Sequence, residues 1–295
     1  MYSQPFAAFV APAQRYPEIW RLIVGCLTGG ATYVVCAIAM AAAGGVVLFL
    51  LGLSEDVRSI MEPDTPAKAG FLLSTFVAMW AAAWVAVKWH NRPFQTLFGP
   101  AATLRRNWLF SAGLSVAILA VSGSAAASFL GIETTQSRET FPWLLSLVWV
   151  LPLLFIQTTA EELIFRGYLQ QQLAARFSSR VIWMGVPSLL FGLAHYNPDF
   201  GTDVALALVA ATGLFGLVAA DITRLTGNLG AAMGFHFANN FLALVVVTVA
   251  GNIDGLALFQ TDFTMTERAI VLPLLLVDIA IILVVWGVLR RVFRP

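Results

Sequence analysis

The feature that most constrains this chain is a series of eight apolar stretches separated by short polar connections. About 20 helical residues, at roughly 1.5 Å each, cross a hydrocarbon core of roughly 30 Å. The sequence therefore predicts an all-α, polytopic membrane protein with about eight transmembrane helices. The predicted ranges are 22–53, 70–87, 107–131, 141–165, 181–195, 204–222, 227–250 and 269–289.

The composition agrees with this class. Hydrophobic residues make up 59% of the chain and charged residues only 11%, whereas about a quarter of an ordinary soluble domain is charged. We therefore predict one membrane-embedded domain over 1–295, with a motif-bearing core at about 141–250. The expected surroundings are a lipid bilayer, and the Ala- and Gly-rich composition favours a bacterial inner membrane. No nucleic-acid partner is expected.

The basic residues predict an orientation. If the N-terminus is cytoplasmic and the helices alternate, most of the 17 Lys and Arg residues fall inside. The remaining four basic residues fall in the outside segments, which also hold many acidic residues. These four are Arg58, Lys68, Arg138 and Arg268. The positive-inside rule therefore predicts that both termini are cytoplasmic.

Charged side chains in the fourth stretch are the first sign of a site. An ionisable group in a membrane costs roughly 2.5 to 3.5 kcal/mol on insertion scales, so it usually faces a bundle interior or a wet cavity. Glu162 and Arg166 are four residues apart, the spacing at which side chains on one helix face meet. We predict an ion pair between them, which leaves the adjacent Glu161 free to face elsewhere.

Two further stretches carry polar groups at helical spacing. Phe191 precedes His195 by one turn in the fifth stretch, and His236 precedes Asn240 by one turn in the seventh. Glu161 and His195 are each roughly 22 Å of helix from the polar turn that joins their stretches, so an antiparallel hairpin sets them level. This estimate requires the fourth helix to continue past Arg166 without a bend.

Such a set can hydrolyse an amide bond. A carboxylate beside an imidazole can activate a water molecule, which is the role predicted for Glu161 with His195. The tetrahedral oxyanion that forms needs preorganised hydrogen-bond donors, which His236 and Asn240 can supply. Taken singly, each of these groups has a structural alternative as an interhelical hydrogen-bonding residue.

At these motifs the sequence resembles the CAAX protease and bacteriocin-processing family of type II CAAX endopeptidases. The Glu-Glu-xxx-Arg, Phe-xxx-His and His-xxx-Asn motifs are all present in order, between about 151 and 244. The resemblance implies an intramembrane peptidase in which Glu161 and His195 activate water, while His236 and Asn240 bind the oxyanion. It also implies a supporting role for Glu162, Arg166 and Phe191. The resemblance implies substrates that are peptides or membrane proteins, and prenylated CAAX tails are one such substrate.

Three alternatives remain open. A zinc peptidase would use Glu161, His195 and His236 as ligands, but no HExxH spacing supports it; the preferred prediction has no metal or other cofactor. The others are a non-proteolytic membrane scaffold and a bacteriocin-immunity protein of the same fold. His90, at the end of the second stretch, is predicted to be a juxtamembrane surface residue.

Overall fold

The computed structural model describes residues 3–53 and 62–294, and most of them are helical. Each of the eight predicted stretches overlaps a helix, which confirms an all-α, multi-pass membrane protein. The side of the membrane on which the termini lie stays a prediction, and Arg58 falls outside the described residues. The helices are α1 Gln4–Gln14, α2 Ile19–Leu50, α3 Pro66–Thr75, α4 Val77–Lys88, α5 Ala101–Leu130, α6 Thr140–Glu162, α7 Gln171–Ala174, α8 Val186–Leu193, α9 Thr202–Thr226, α10 Gly230–Asn240 and α11 Arg268–Val292.

Six helical runs in the described residues are long and apolar enough to cross a membrane. The fifth and seventh predicted stretches correspond to two shorter apolar runs, Val181–Leu193 and Gly230–Val246. In both, a π-helical segment adjoins the α-helix, at Val181–Gly185 before α8 and at Phe241–Val246 after α10. The short fifth stretch is therefore a short helix in the folded chain as well.

The fourth helix is continuous past Arg166, as the depth estimate required. α6 passes through a π-helical segment, Leu163–Gln170, directly into α7. A Cβ atom at Gly167 would lie 2.9 Å from the Leu97 carbonyl oxygen. The glycine therefore lets the connection before α5 pack against this helix without bending it. π-helical turns are rare and are frequent at functional sites.

A short helix at the start of the chain was not predicted. α1 buries Phe6, Phe9 and Val10 against the rest of the protein, and it packs on α7 and α9. With only 11 residues, it is too short to give the long apolar signal of a membrane span. It closes one end of the bundle.

A small three-stranded sheet corrects the predicted end of the seventh helix. The helix ends at Val246, and the chain continues as strand β2, Val247–Ala250. β3, Phe259–Thr264, pairs parallel with β2 and antiparallel with β1, Thr134–Gln136. The β-branched run that begins at Val245 suits a strand as well as an apolar helix, so the hydropathy alone placed the boundary too late.

α10 occupies the middle of the bundle, where it packs on α5, α6 and α9. Its contact with α5 is very close, since a Cβ atom at Gly234 would collide with the Trp108 carbonyl oxygen. Small residues permit this approach between helices in lipid. The central position brings the polar side chains of α10 against those at the end of α6.

Candidate active site

The predicted ion pair is present and fully enclosed. Arg166 Nη1 donates to Glu162 Oε1 at 2.8 Å, and the two side chains are 1% and 0% exposed. Arg166 Nη2 also donates to the Gly216 carbonyl oxygen of α9 at 3.2 Å. The i to i+4 spacing on one continuous helix produces the pair. The hydrogen bond to Gly216 holds the Arg166 side chain against α9.

His236 lies between the two adjacent glutamates. Its Nδ1 is 2.9 Å from Glu162 Oε1, and its Nε2 is 3.2 Å from Glu161 Oε2. The second contact is at ion-pair distance. It is not a hydrogen bond, since Glu161 Oε2 has no hydrogen-bond partner. Glu162 therefore contacts both Arg166 and His236, and Glu161 contacts His236. Buried charges are tolerated when they are paired in this way.

Phe191 holds the three motifs together. The Arg166 guanidinium lies over its ring, 4.7 Å from the centroid, and the imidazoles of His195 and His236 are 4.7 and 5.8 Å from it, centroid to centroid. The Phe191 carbonyl oxygen is 2.8 Å from His195 Nδ1. An acceptor at that distance places the proton on Nδ1, so the neutral ring presents an unprotonated Nε2.

A cavity of about 930 Å³ opens beside these groups, and Glu161, His195 and Asn240 all line it. Most of its wall is apolar. The lining residues come from the glycine-containing part of α2, from α3, α4 and α8, from the continuous fourth helix and from the loop beside β2. Ligand pockets of this kind combine apolar walls with a few converging polar groups. The depth estimate made from the sequence therefore agrees with the observed convergence of these residues.

The predicted pairs are only partly in direct contact. Glu161 faces His236, and no carboxylate oxygen of Glu161 lies within 4.0 Å of a His195 nitrogen. Glu161 and His195 instead line the same cavity from different helices. His236 is 3% exposed and reaches the cavity only through its contact with Glu161.

Gln157 is a site residue that the sequence reasoning missed. Asn240 Nδ2 donates to Gln157 Oε1 at 3.0 Å, and both side chains line the cavity. Gln157 lies four residues before Glu161, on the same helix face. That spacing is a signal in the sequence, although a glutamine alone does not suggest a catalytic site.

The alternative zinc ligands are not gathered around one point. Glu161 and His236 are in contact, but His195 hydrogen-bonds Phe191 instead. Among residues 3–53 and 62–294, no three His, Cys, Asp or Glu side chains are placed to hold a metal ion together.

A second polar cluster adjoins the same cavity and corrects the prediction for His90. This residue is 1% exposed, because Tyr16 between α1 and α2, the start of α2 and the extended fourth helix all contact the end of α4. Its Nε2 is 3.0 Å from the hydroxyl oxygen of Tyr168, which lines the cavity. Burial, together with the charges of Arg92 and Arg176, lowers the pKa of His90 to about 4.

Comparison with known proteins agrees with this geometry. Residues 142–242 match the family model described as type II CAAX prenyl endopeptidase Rce1-like, and this range contains every motif residue named above. The chain is also 26% identical, over 260 residues, to YyaK, an uncharacterized protein of Bacillus subtilis (strain 168). That alignment covers 84% of each chain. Over residues 142–242, this protein is therefore similar to the type II CAAX prenyl endopeptidase Rce1-like family.

Proposed function

We propose that this protein is an intramembrane endopeptidase that hydrolyses a peptide bond with a water molecule activated by Glu161 and His195. The family is a protease family, which supports a membrane hydrolase at that level. The observation that carries the finer proposal is that Glu161, His195 and Asn240 line one largely apolar cavity. Hydrolysis at such a place needs a base, a route for protons and a site for the oxyanion.

The first step is the attack of water on the carbonyl carbon. Water between Glu161 and His195 loses a proton to the Glu161 carboxylate, and its oxygen forms the new bond to carbon. His195 Nε2 accepts a hydrogen bond from the same water and fixes its direction. Because His195 Nδ1 is held by the Phe191 carbonyl oxygen, the ring keeps the orientation that this role requires.

The second step is the collapse of the tetrahedral intermediate. Asn240 Nδ2 has a second N–H beyond the one donated to Gln157, and this N–H donates to the oxyanion. His236 Nε2 contacts Glu161 Oε2 at 3.2 Å and keeps this carboxylate in position beside the same intermediate. The C–N bond then breaks, and the proton taken up by Glu161 passes to the leaving amine. Glu162 and Arg166 hold His236 in place and remain unchanged.

The cavity walls indicate the kind of substrate. Small and apolar side chains of α2 and α4 form one side, and this surface suits an apolar segment of a membrane-associated peptide, with or without a prenyl group. We place the protein in a cell membrane, and the Bacillus relative favours a bacterial one. No resident cofactor is required by the steps above.

The test is cleavage of a peptide library by detergent-purified protein, with products identified by mass spectrometry. Wild type should cut a defined bond, and Glu161→Gln and His195→Gln should not. Activity that survives a chelator supports the water-activating pair, whereas activity lost to the chelator and restored by zinc supports the zinc alternative. If folded wild type cuts neither prenylated nor plain peptides, a non-proteolytic scaffold becomes the better description.

A further inference from the structure

The cavity beside Glu161 differs in exposure between its two ends. Toward α1, its lining residues Tyr168 and Ala86 are only 2% and 3% exposed, and both belong to the buried cluster that α1 completes. The opposite end carries β1, β2 and β3 and is the sheet end of the bundle. There Tyr196 is 46% exposed, Asn252 is exposed as well, and both line the cavity. The cavity is therefore closed toward α1 and open at the sheet end.

α9 shows that these two ends lie on opposite sides of the membrane. Gly227, directly after the last residue of α9, packs closely on Pro5 of α1. Val204, in the first turn of α9, belongs to the same buried cluster as Phe263 of β3. A helix of 25 residues is roughly 37 Å long, which exceeds a hydrocarbon core of roughly 30 Å. The open end of the cavity is therefore on the side away from α1.

Two loops form the opening at the sheet end. One follows α8, where Tyr196 and Asn197 come directly after His195, and the other follows β2 at Asn252 and Ile253. Tyr196, Asn197 and Asn252 offer a hydroxyl and two carboxamides, which donate and accept hydrogen bonds without carrying charge. Such groups match the amide groups of an extended peptide main chain. The opening therefore suits a polypeptide better than an ion.

A second opening, on the side of the bundle, is less polar. Cys26 is exposed and Tyr33 is 43% exposed, and both line the cavity from α2. Because α2 is long and apolar enough to cross the membrane, the exposed faces of these residues meet hydrocarbon. At the sheet end, by contrast, a chain that enters beside Tyr196 passes the imidazole of His195. A substrate that is apolar on one side of the cleaved bond and polar on the other fits both openings.

We propose that the polar part of the substrate chain enters the cavity at the sheet end, between Tyr196, Asn197 and Asn252. The substrate class is then a membrane-protein segment at which an apolar stretch meets a polar one on that side. The inference rests on the proposed function for the roles of Glu161 and His195. With both termini cytoplasmic, as the basic residues predict, the sheet end is the outer end, and the cleaved bond is reached from outside the cytoplasm.

The first measurement determines from which side of the membrane the cavity is reached, and it requires no turnover. Single cysteines are placed in a Cys26→Ser, Cys36→Ser background, and the protein is studied in sealed membrane vesicles. An anionic methanethiosulfonate reagent that does not cross the bilayer is added to one side at a time. The interior positions are Leu244→Cys and Ala243→Cys, both of which replace residues that line the cavity.

Two exposed positions outside the cavity identify the sides. Gln136→Cys, on β1, marks the sheet end, and Ser179→Cys, between α7 and α8, marks the other end. Reagent on the side that modifies Gln136→Cys should also modify the two interior positions, and reagent on the side that modifies Ser179→Cys should not. Interior modification from the Ser179→Cys side, or from neither side, would overturn the proposal. Labelling after denaturation gives the total thiol, and the second interior position covers a variant that does not fold.

Passage of the substrate is tested with the best peptide from the library assay, lengthened by a polar tail of serine and asparagine. Asn252→Ala should raise KM about fivefold and leave kcat unchanged, as expected for the loss of one hydrogen bond to the bound chain. Gln136→Ala, outside the cavity, should change neither. An unchanged KM for Asn252→Ala would show that the chain takes another route and would overturn the proposal. A protein that cuts no peptide would remove the proposed function alone, because the labelling result does not depend on turnover.

Discussion

Two buried charged regions meet the same cavity, and they differ in how their charge is compensated. Around Glu161 and Glu162, Arg166 and His236 contact the two carboxylates directly, at distances of 2.8 to 3.2 Å. Around Tyr168, Arg92 and Arg176 lack carboxylate partners in the described part of the chain. The comparison teaches that the first region is compensated by ion pairs within the protein, whereas the arginines of the second donate to neutral oxygens of Gln171, Tyr16 and Glu18.

The largest expected effect comes from removing the base in the first region. Glu161→Gln keeps the size of the side chain but loses the proton acceptor, so cleavage should fall by about 10³-fold. The measurement is initial rate on the best library peptide. Glu139→Gln, at an exposed position before α6, is the matched control and should cut normally. An equally active Glu161→Gln protein would rule out the assigned base.

The next prediction tests whether the charges of the first region are compensated by ion pairs within the protein. Arg166→Met leaves Glu162 buried without its cation, and breaking a buried pair in this way should cost about 3 to 5 kcal/mol of unfolding free energy. Arg268→Met breaks the exposed pair with Asp203, at 75% and 44% exposure, and should cost less than about 1 kcal/mol. Chemical unfolding in one detergent compares them, and similar losses would contradict the distinction.

A smaller effect is expected at Gln157. Gln157→Leu frees the Asn240 carboxamide to rotate, and kcat should fall about tenfold with little change in KM, since an oriented oxyanion donor acts mainly in the transition state. In an Asn240→Ala background the same change should have little further effect. The exposed control is Gln95→Leu. Additive losses in the double variant would show that Gln157 acts by another route.

The smallest effect concerns pH and the second region. His90 has an ordinary pKa of 6.5 and a folded pKa of about 4, so the unfolded chain binds more protons between these values. Stability should therefore be complete above pH 6.5 and should decline as the pH falls toward 4. His90→Phe should reduce this decline by a few degrees in Tm. An unchanged slope of Tm against pH would argue against a neutral buried His90.

Much of the fold was predictable because membrane helices leave a local signal. Apolar length located all eight helical stretches, and the i to i+4 rule paired Glu162 with Arg166 before any tertiary contact was known. Helix continuity past Arg166 then set Glu161 and His195 at comparable depth. These inferences need only the rise and period of one helix.

Other features depended on contacts between distant segments. α1 was missed because its burial comes from neighbours that are remote in sequence, and the end of the seventh helix was placed too late because β2 needs β3 as a partner. His90 was expected at the surface, since nothing near it in sequence reveals that Tyr168 will cover it.

The sequence by itself determined that this protein crosses a membrane several times and which polar residues share each helix face. Only the tertiary structure decided that Glu161 contacts His236, that Gln157 orients Asn240, and that Arg92 is buried beside Tyr168. The physical reason is that helical periodicity fixes the direction of a side chain relative to its own axis. Which side chains meet is set by the packing of small residues between helices, and that packing involves the whole bundle.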